Sequence, residues 1–406
     1  MIDGYVTRAA SVSDFDVNGE HILCGPRTQI VPRVTLPESN TTRGCLQSPP
    51  YIGEPMRVFG SIKDKGHAVK ATRIEWPSDL LGDVSGDAVI DAAPSHVPAD
   101  IPATGLIVRA DGYRVRLDAK TQIVWATALR ALSDVKAGDW IAYKGRMSPD
   151  GTVVATWAKL TPDMVSKGEE KLRTKNDFDP SAVPSWAKQS RLSLAFVGID
   201  PKRFPPYDNP AMQGRVSAIG EKLVPAYQRN HSEAAPDKIQ FRFQVIDTKL
   251  FRDALTLPSG VILVPRQVVE RMQNDSQLAT VLADNIACAL EKQTYRALPA
   301  SRALSAEDLA AQVAGVLVPG IGVAGIGANI GGTEVIRIKA EEQSGRVSLG
   351  LLQNAGYDID QAPVAWWLLA PKSAKPVSEI SIPKRATYLY RMLGEMWHNP
   401  IASAKP

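Results

Sequence analysis

The sequence predicts a multidomain chain in which two small all-β domains precede an α+β, mostly helical domain. Three observations carry that expectation. Up to about residue 165, short apolar runs alternate with polar residues and are broken by Gly, Asp and Pro, the period-two signature of half-buried antiparallel strands. Within that half one hairpin pattern occurs twice, and beyond it the apolar spacing changes to helical period.

In the first half the strand candidates are Gly4-Tyr-Val-Thr, Met56-Arg-Val-Phe-Gly, Leu106-Ile-Val-Arg, Tyr113-Arg-Val-Arg-Leu and Trp140-Ile-Ala-Tyr. Phe59-Gly60 through Gly66 to Ala71-Thr72 parallels Lys144-Gly145 through Gly151 to Ala155-Thr156, each a strand, a Gly-centred turn and a returning strand. The openings Gly4-Tyr-Val-Thr-Arg-Ala and Gly105-Leu-Ile-Val-Arg-Ala also match. Two copies are therefore expected over 1–78 and 101–162, with the Ala/Pro/Asp-rich residues 79–100 as linker. The second copy, with Leu132-Ser-Asp-Val-Lys-Ala-Gly-Asp-Trp-Ile-Ala-Tyr-Lys-Gly and Asp150-Gly-Thr-Val-Val-Ala-Thr, resembles the OB-like β-barrel repeats of bacterial cell-envelope proteins; Asp14-Phe-Asp-Val-Asn-Gly places the first copy beside it. Such barrels bind ligands or act as spacers, so the resemblance fixes no function.

The first copy carries a loop-rich insertion holding Cys24 and Cys45. Their shared Pro/Thr/Gly-rich setting favours a disulfide that staples it, and with it maturation in an oxidising, extracytoplasmic compartment; two unrelated thiols are the competing reading. The Met-Ile-Asp-Gly start has no basic n-region or apolar h-region, so no signal peptide is expected within this chain.

Composition excludes some classes. The 47 Lys and Arg exceed the 43 Asp and Glu by only four, with no basic block interleaved with aromatics, so nucleic acid is not an expected partner. Residues 309–333 carry no charge but contain Pro319 and seven glycines; a buried helix and loop is favoured over membrane contact. Gly320, Gly322 and Gly325 match a dinucleotide fingerprint by letter, but no βαβ unit surrounds them. The histidines at 21, 67, 96, 231 and 398 stand in loops or turns and read as ordinary surface residues. Trp366 and Trp367 read as packing for the last helices.

A charged connector, 163–188, leads to the helical domain, 189–400. Helices are expected over 211–229, 266–295, 305–318, 334–354 and 384–397, with strands at 239–247 and 260–265. The run Phe243-Gln-Val-Ile-Asp247, Ala254-Leu-Thr-Leu-Pro258-Ser-Gly260-Val-Ile-Leu-Val264 and Asp275-Ser-Gln-Leu278-Ala-Thr-Val-Leu282-Ala283 resembles the zinc endopeptidase family of the CAAX prenyl endopeptidases and periplasmic chaperone-proteases. The resemblance covers roughly 190–400 and implies a zincin-like fold.

In that family an HExxH helix follows a β-hairpin. Two imidazoles one turn apart hold Zn²⁺ and the Glu takes a proton from the metal-bound water. The matching residues here are Asp284-Asn285-Ile286-Ala287-Cys288, and an Asn amide is no general base. The third ligand matches Glu341; the motif's closing Asp is Gly345, and a later His is Lys375. Asn354-Ala-Gly356-Tyr357-Asp358 keeps the family's following turn. The resemblance thus implies a peptidase fold without its catalytic set: a non-catalytic pseudopeptidase of the envelope or exterior, with no cofactor, binding protein or assembling with itself. The alternative is an active zinc metalloendopeptidase using Asp284, Cys288 and Glu341 as a non-standard metal site. The competing reading of those three is local pairing, a core thiol and a solvated or paired carboxylate. In active relatives substrate adds as a strand beside the hairpin, which places partner binding at Ser259, Gly260, Val261, Ile262, Leu263 and Val264.

Overall fold

The computed structural model describes residues 1–31, 41–63, 68–77, 82–93, 105–126, 128–190, 200–302, 331–370 and 384–398. Its first half is two closed five-stranded barrels. In the first, β1 (Ile2–Ala9) is followed by β2 (Phe15–Val17), β3 (Glu20–Leu23), β4 (Gln29–Val31), β5 (Thr42–Arg43), β6 (Pro55–Lys63) and β7 (Ala68–Glu75). β1 shifts register between Val6 and Arg8, pairing with β6 through Ile2 to Tyr5 and with β2 beyond. The parallel pairing of β3 with β7 closes the circuit β1-β2-β3-β7-β6. Alternate residues turn inward, so Val6, Phe15, Val17, Ile22, Met56, Val58 and Ile74 are fully buried.

The second barrel uses β8 (Asp83–Ala92), β9 (Leu106–Ala110), β10 (Tyr113–Leu117), β11 (Gln122–Trp125), β12 (Trp140–Met147) and β13 (Thr152–Thr161), closed by β10 on β13. The repeat goes deeper than the hairpins. Both β6 and β12 shift register at the expected glycine, between Phe59 and Gly60 and between Lys144 and Gly145, and a Cβ on either glycine would run into the opposite strand's backbone. Thr28 Oγ1 donates to Ala71 O at 2.9 Å, and Thr121 Oγ1 makes the same bond to Ala155 O at 2.8 Å. The β2–β3 and β9–β10 turns are Asn18-Gly19 and Asp111-Gly112, all four at positive φ, as a tight hairpin turn requires.

The linker expectation is corrected here. Residues 83–92, assigned to the linker 79–100, form β8, the counterpart of β1: it too pairs with one neighbour through its first part and another through its last. The match between residues 4–9 and 105–110 therefore joined non-equivalent strands, since β9 corresponds to β2.

The connector carries α1 (Lys167–Lys175), capped where Ser166 accepts from Glu169 N. Glu169 of this charged helix is buried. Next come α2 (Pro210–Leu223) and, after a break at Pro225, α3 (Ala226–Arg229). A three-stranded sheet follows, β14 (Arg242–Ile246), β15 (Leu255–Thr256) and β16 (Val261–Pro265), in the order β14-β16-β15. The helix expected over 266–295 is three: α4 (Arg266–Arg271), α5 (Asp275–Leu290) and α6 (Gln293–Arg302). Asn274 starts α5 by accepting from Gln277 N, and Lys292, at φ 50°, separates α5 from α6. Finally α7 (Gly331–Asn354), α8 (Gln361–Leu369) and α9 (Lys384–Met392) complete the region, α9 ending in a π-helical turn, Leu393–Trp397. The helix expected over 305–318, the glycine fingerprint and most of 309–333 lie outside the described residues.

One continuous apolar core runs from the second barrel, through Ile90, Val108 and Tyr143, into α2, α5, α7 and α8. The first barrel keeps its own core. Instead of standing off as a separate bead, the second barrel is welded to the helical region.

Candidate functional site

Helix α5 is buried on every side from Gln277 to Leu290, its polar Thr280, Asp284 and Asn285 included. Asp284 and Cys288, one turn apart, lie on one face of it. α7 packs along α5, and its Ser344, whose hydroxyl donates to Glu341 O at 3.2 Å, lies beside the Cys288 thiol. Glu341, on the preceding turn of α7, adds its charge to the same region. Asp284 and Cys288 thus share a face of α5, while Glu341 acts on that region through its charge.

What stands among them was not foreseen. Arg385, at the start of α9, forms an ion pair with Asp284 through Nη2 and a second with Asp253 Oδ2 through Nη1 at 3.3 Å. Its guanidinium lies 3.4 Å from the ring centre of Trp366 on α8. Asp253 is held from the other side by Ala254 N, which donates to its Oδ1 at 2.7 Å.

Electrostatics follow from burial. Asp253 is pushed up to about 7 by desolvation, opposed by Arg385 and aided by Asp284. Desolvation works against the Arg385 cation, but the charges of Asp284, Asp253 and Glu341 outweigh it and raise its pKa. Burial, with the Asp284 charge behind it, drives the Cys288 thiol well above its ordinary value.

The remaining motif residues have structural work. Asn285 donates from Nδ2 to Val281 O at 2.8 Å, and its Oδ1 and backbone carbonyl both accept from the Thr256 hydroxyl, which ties β15 to α5. Gly345 turns toward α9, where a Cβ would meet Leu389 at 3.4 Å, an ordinary contact. Lys375 lies outside the described residues.

These residues do not fit a zinc ion. Zn²⁺ needs deprotonated N, S or O ligands converging at 2.0–2.3 Å. Here one carboxylate is bound to an arginine, and the position the resemblance gives to the general base is an amide bonded to a strand. Among the described residues no group of three or more His, Cys, Asp or Glu is placed to hold a metal ion. A cavity of about 20 Å³ borders Cys288, Thr256, Pro258, Glu169 and Lys292, room for a single water and too small for a peptide.

The strand proposed for partner binding is also corrected. β16, Val261–Pro265, is the central strand: β14 pairs with it in parallel from Arg242 to Ile246, and β15 in antiparallel at Leu255 and Thr256. Ser259 donates its hydroxyl to Asn176 O at 2.9 Å, and Gly260 turns the hairpin at φ 94°. Ile262, Leu263 and Val264 are fully buried. The outer rim of β14 is occupied too: the Gln213 side chain donates to Phe243 O at 2.7 Å and accepts from Val245 N at 2.8 Å, as a neighbouring strand would. An incoming strand meets no open backbone at Val261 to Val264.

Cys24 and Cys45 form the expected disulfide. Three histidines sit beside carboxylates: His21 by Asp16 at 3.0 Å, His231 by Asp237 at 3.1 Å and His398 by Asp360 at 2.6 Å; His67 and His96 lie outside the described residues. Trp366 is buried among the last helices, while a Cβ on Gly19 of the first barrel would contact the Trp367 ring. Among the described residues no helix is long and apolar enough to cross a membrane. No family model matches the chain, and no curated protein matches it.

Sequence reasoning missed Arg385 and Asp253. Arg385 begins a helix that reads as amphipathic, and Asp253 sits in a polar loop before β15; only the fold brings them to α5.

Proposed function

We propose that this chain is a non-catalytic pseudopeptidase: two OB-like barrels joined to a zincin-like domain that serves as a rigid module for protein binding or structural assembly outside the cytoplasm. The observation that carries the reading is the Asp284–Arg385 ion pair. It commits the first motif position of α5 to an internal cation, beside a buried thiol at the second.

The disulfide supports the extracytoplasmic setting, since such bonds persist in oxidising compartments. The core shared by the second barrel and the helical region supports assembly over client capture, because a welded body presents fixed surfaces. Binding by strand addition beside Val261 to Val264 is no part of the proposal.

The test combines metal analysis of protein purified without chelator, cleavage of unfolded casein, and sedimentation. Metal-free protein that leaves casein intact and sediments as a defined oligomer is the expected result. Stoichiometric zinc with chelator-sensitive cleavage overturns the reading in favour of the active peptidase. The triple variant Asp284→His, Asn285→Glu, Cys288→His serves as the restoration control.

A further inference from the structure

We propose that the Arg385 guanidinium is the built-in cation of this centre, and that the pocket formed around it by Asp253, Asp284 and Trp366 is a site for a planar cation, which a free guanidinium ion enters when the Arg385 side chain is cut back. The inference concerns the charge balance of the α5 centre and does not depend on which partner the protein serves.

The geometry favours a planar ion over a metal. Asp284 is 3% exposed and the side chain of Asp253, in the loop before β15, is 15% exposed, so two carboxylates share a desolvated space that one positive group must neutralise. They approach the guanidinium through different nitrogens, Asp284 at Nη2 and Asp253 at Nη1, which spreads the acids around a flat, forked cation. The Trp366 ring covers its face at 3.4 Å, a stacking that suits a delocalised, weakly hydrated ion and gives a metal ion no ligand. Asp284 Oδ1 is buried and has no hydrogen-bond partner among the described residues, so the pocket retains an acceptor beyond those Arg385 uses. Glu341 adds negative potential from α7.

The experiment is rescue of Arg385→Ala in the full chain. The variant is expected to melt at a lower temperature than wild type, and millimolar guanidinium chloride to raise its midpoint while sodium chloride at equal ionic strength does not. The same addition should alter tryptophan emission in Arg385→Ala and leave it unchanged in Arg385→Ala/Trp366→Phe. The response should vanish in Arg385→Ala/Asp284→Asn. Equal behaviour in the two salts overturns the proposal, as does a response that survives Asp284→Asn. Restoration by zinc chloride and not by guanidinium overturns the planar-ion assignment.

Should Arg385→Ala not fold alone, the readout becomes soluble yield on refolding with each salt. The charge-free combination Asp253→Asn/Asp284→Asn/Arg385→Leu is then expected to refold without either. Equal yields of Arg385→Ala in both salts count against the proposal. Rescue can fail while wild type stays metal-free and inert toward casein, so this test and that of the proposed function fall separately.

Discussion

Arg346 of α7 binds Asp111 of the second barrel twice, with Nη2 2.5 Å from the carboxylate and Nε 2.9 Å from the backbone carbonyl. Asp111 occupies the left-handed turn between β9 and β10 and also accepts from the Tyr143 hydroxyl at 3.1 Å. The guanidinium lies over the Tyr113 ring, 4.9 Å from its centre, and donates to the Tyr388 hydroxyl at 2.5 Å. With both side chains largely buried, at 12% and 3% exposure, the pair fixes the barrel's orientation on the helical region. Removing one partner of such a pair leaves the other charge buried and costs about 3–5 kcal/mol. Arg346→Met should therefore unfold at markedly lower urea. If the latch couples the two bodies, the variant's transition also broadens or splits, whereas an unchanged midpoint would show that the shared apolar core alone joins them.

How much of this was legible in the sequence depends on how local each signal was. The β6–β7 and β12–β13 hairpins could be read because a glycine bulge and a Gly-centred turn recur within a few residues. β8 escaped because Asp83–Ala92 is Asp- and Ala-rich; its strand character comes from pairing with β12 and β9. At the site, helical period sufficed to put Asp284 and Cys288 on one face of α5. It carried no information on the cation, since nothing around Arg385 distinguishes it from a surface arginine. The two-sided pairing of β16 was hidden for a related reason: β15 is only Leu255–Thr256, too short to show a period.

The first barrel is held to the helical region by a backbone contact between glycines. A Cβ on Gly394 would strike Gly53 O, and one on Gly53, which sits at φ 83°, would strike Tyr390 O and Gly394 N. Gly394→Ala is thus expected to cost about 1–3 kcal/mol through forced displacement. The loss should fall on docking, because the first barrel has a separate core. Limited proteolysis should release a fragment containing the first barrel faster from the variant than from wild type; identical digestion patterns would show that the contact relaxes without consequence.

Reduction of Cys24–Cys45 should act on the same barrel. The bridge closes a loop spanning 21 residues, for which loop-closure entropy gives about 3 kcal/mol. Cys24 packs against the first barrel's core and Cys45 adjoins Leu46 of that core, so the effect is confined there. In Cys24→Ala/Cys45→Ala, amide exchange should accelerate across β1 to β7 while β8 to β13 and α5 keep wild-type protection. Uniform acceleration throughout the chain would mean that the first barrel also supports the rest.

Stability should fall as pH rises from acid to neutral, and Asp91 gives the reason. It lies on β8 with its side chain 4% exposed, and Arg109 Nε donates to its Oδ1 at 2.6 Å. Its Oδ2 has no hydrogen-bond partner among the described residues. Desolvation exceeds the attraction of Arg109 and pushes Asp91 up to about 6, against about 3.9 in an unfolded chain. A carboxyl whose folded pKa is the higher one binds more protons folded than unfolded between those values. Its contribution is therefore present in acid and lost as pH rises through about 6. Asp253, raised to about 7, and Glu291, raised well above its ordinary value by burial, act in the same direction. The exposed carboxylates Asp14, Asp134, Asp179 and Glu233 are lowered and act oppositely, but only at more acid pH, so the two sets do not cancel near neutrality. Urea unfolding at a series of pH values should show wild type losing stability from pH ~5 to pH ~7. Asp91→Asn should flatten that loss by about 1 kcal/mol, the part of the two-unit linkage that falls above pH ~5. The comparison is of slopes, because Asn also deprives Arg109 of a counter-ion at every pH. Parallel curves for the two proteins would place the Asp91 proton in both states alike and remove this carboxyl from the acid-stabilising set.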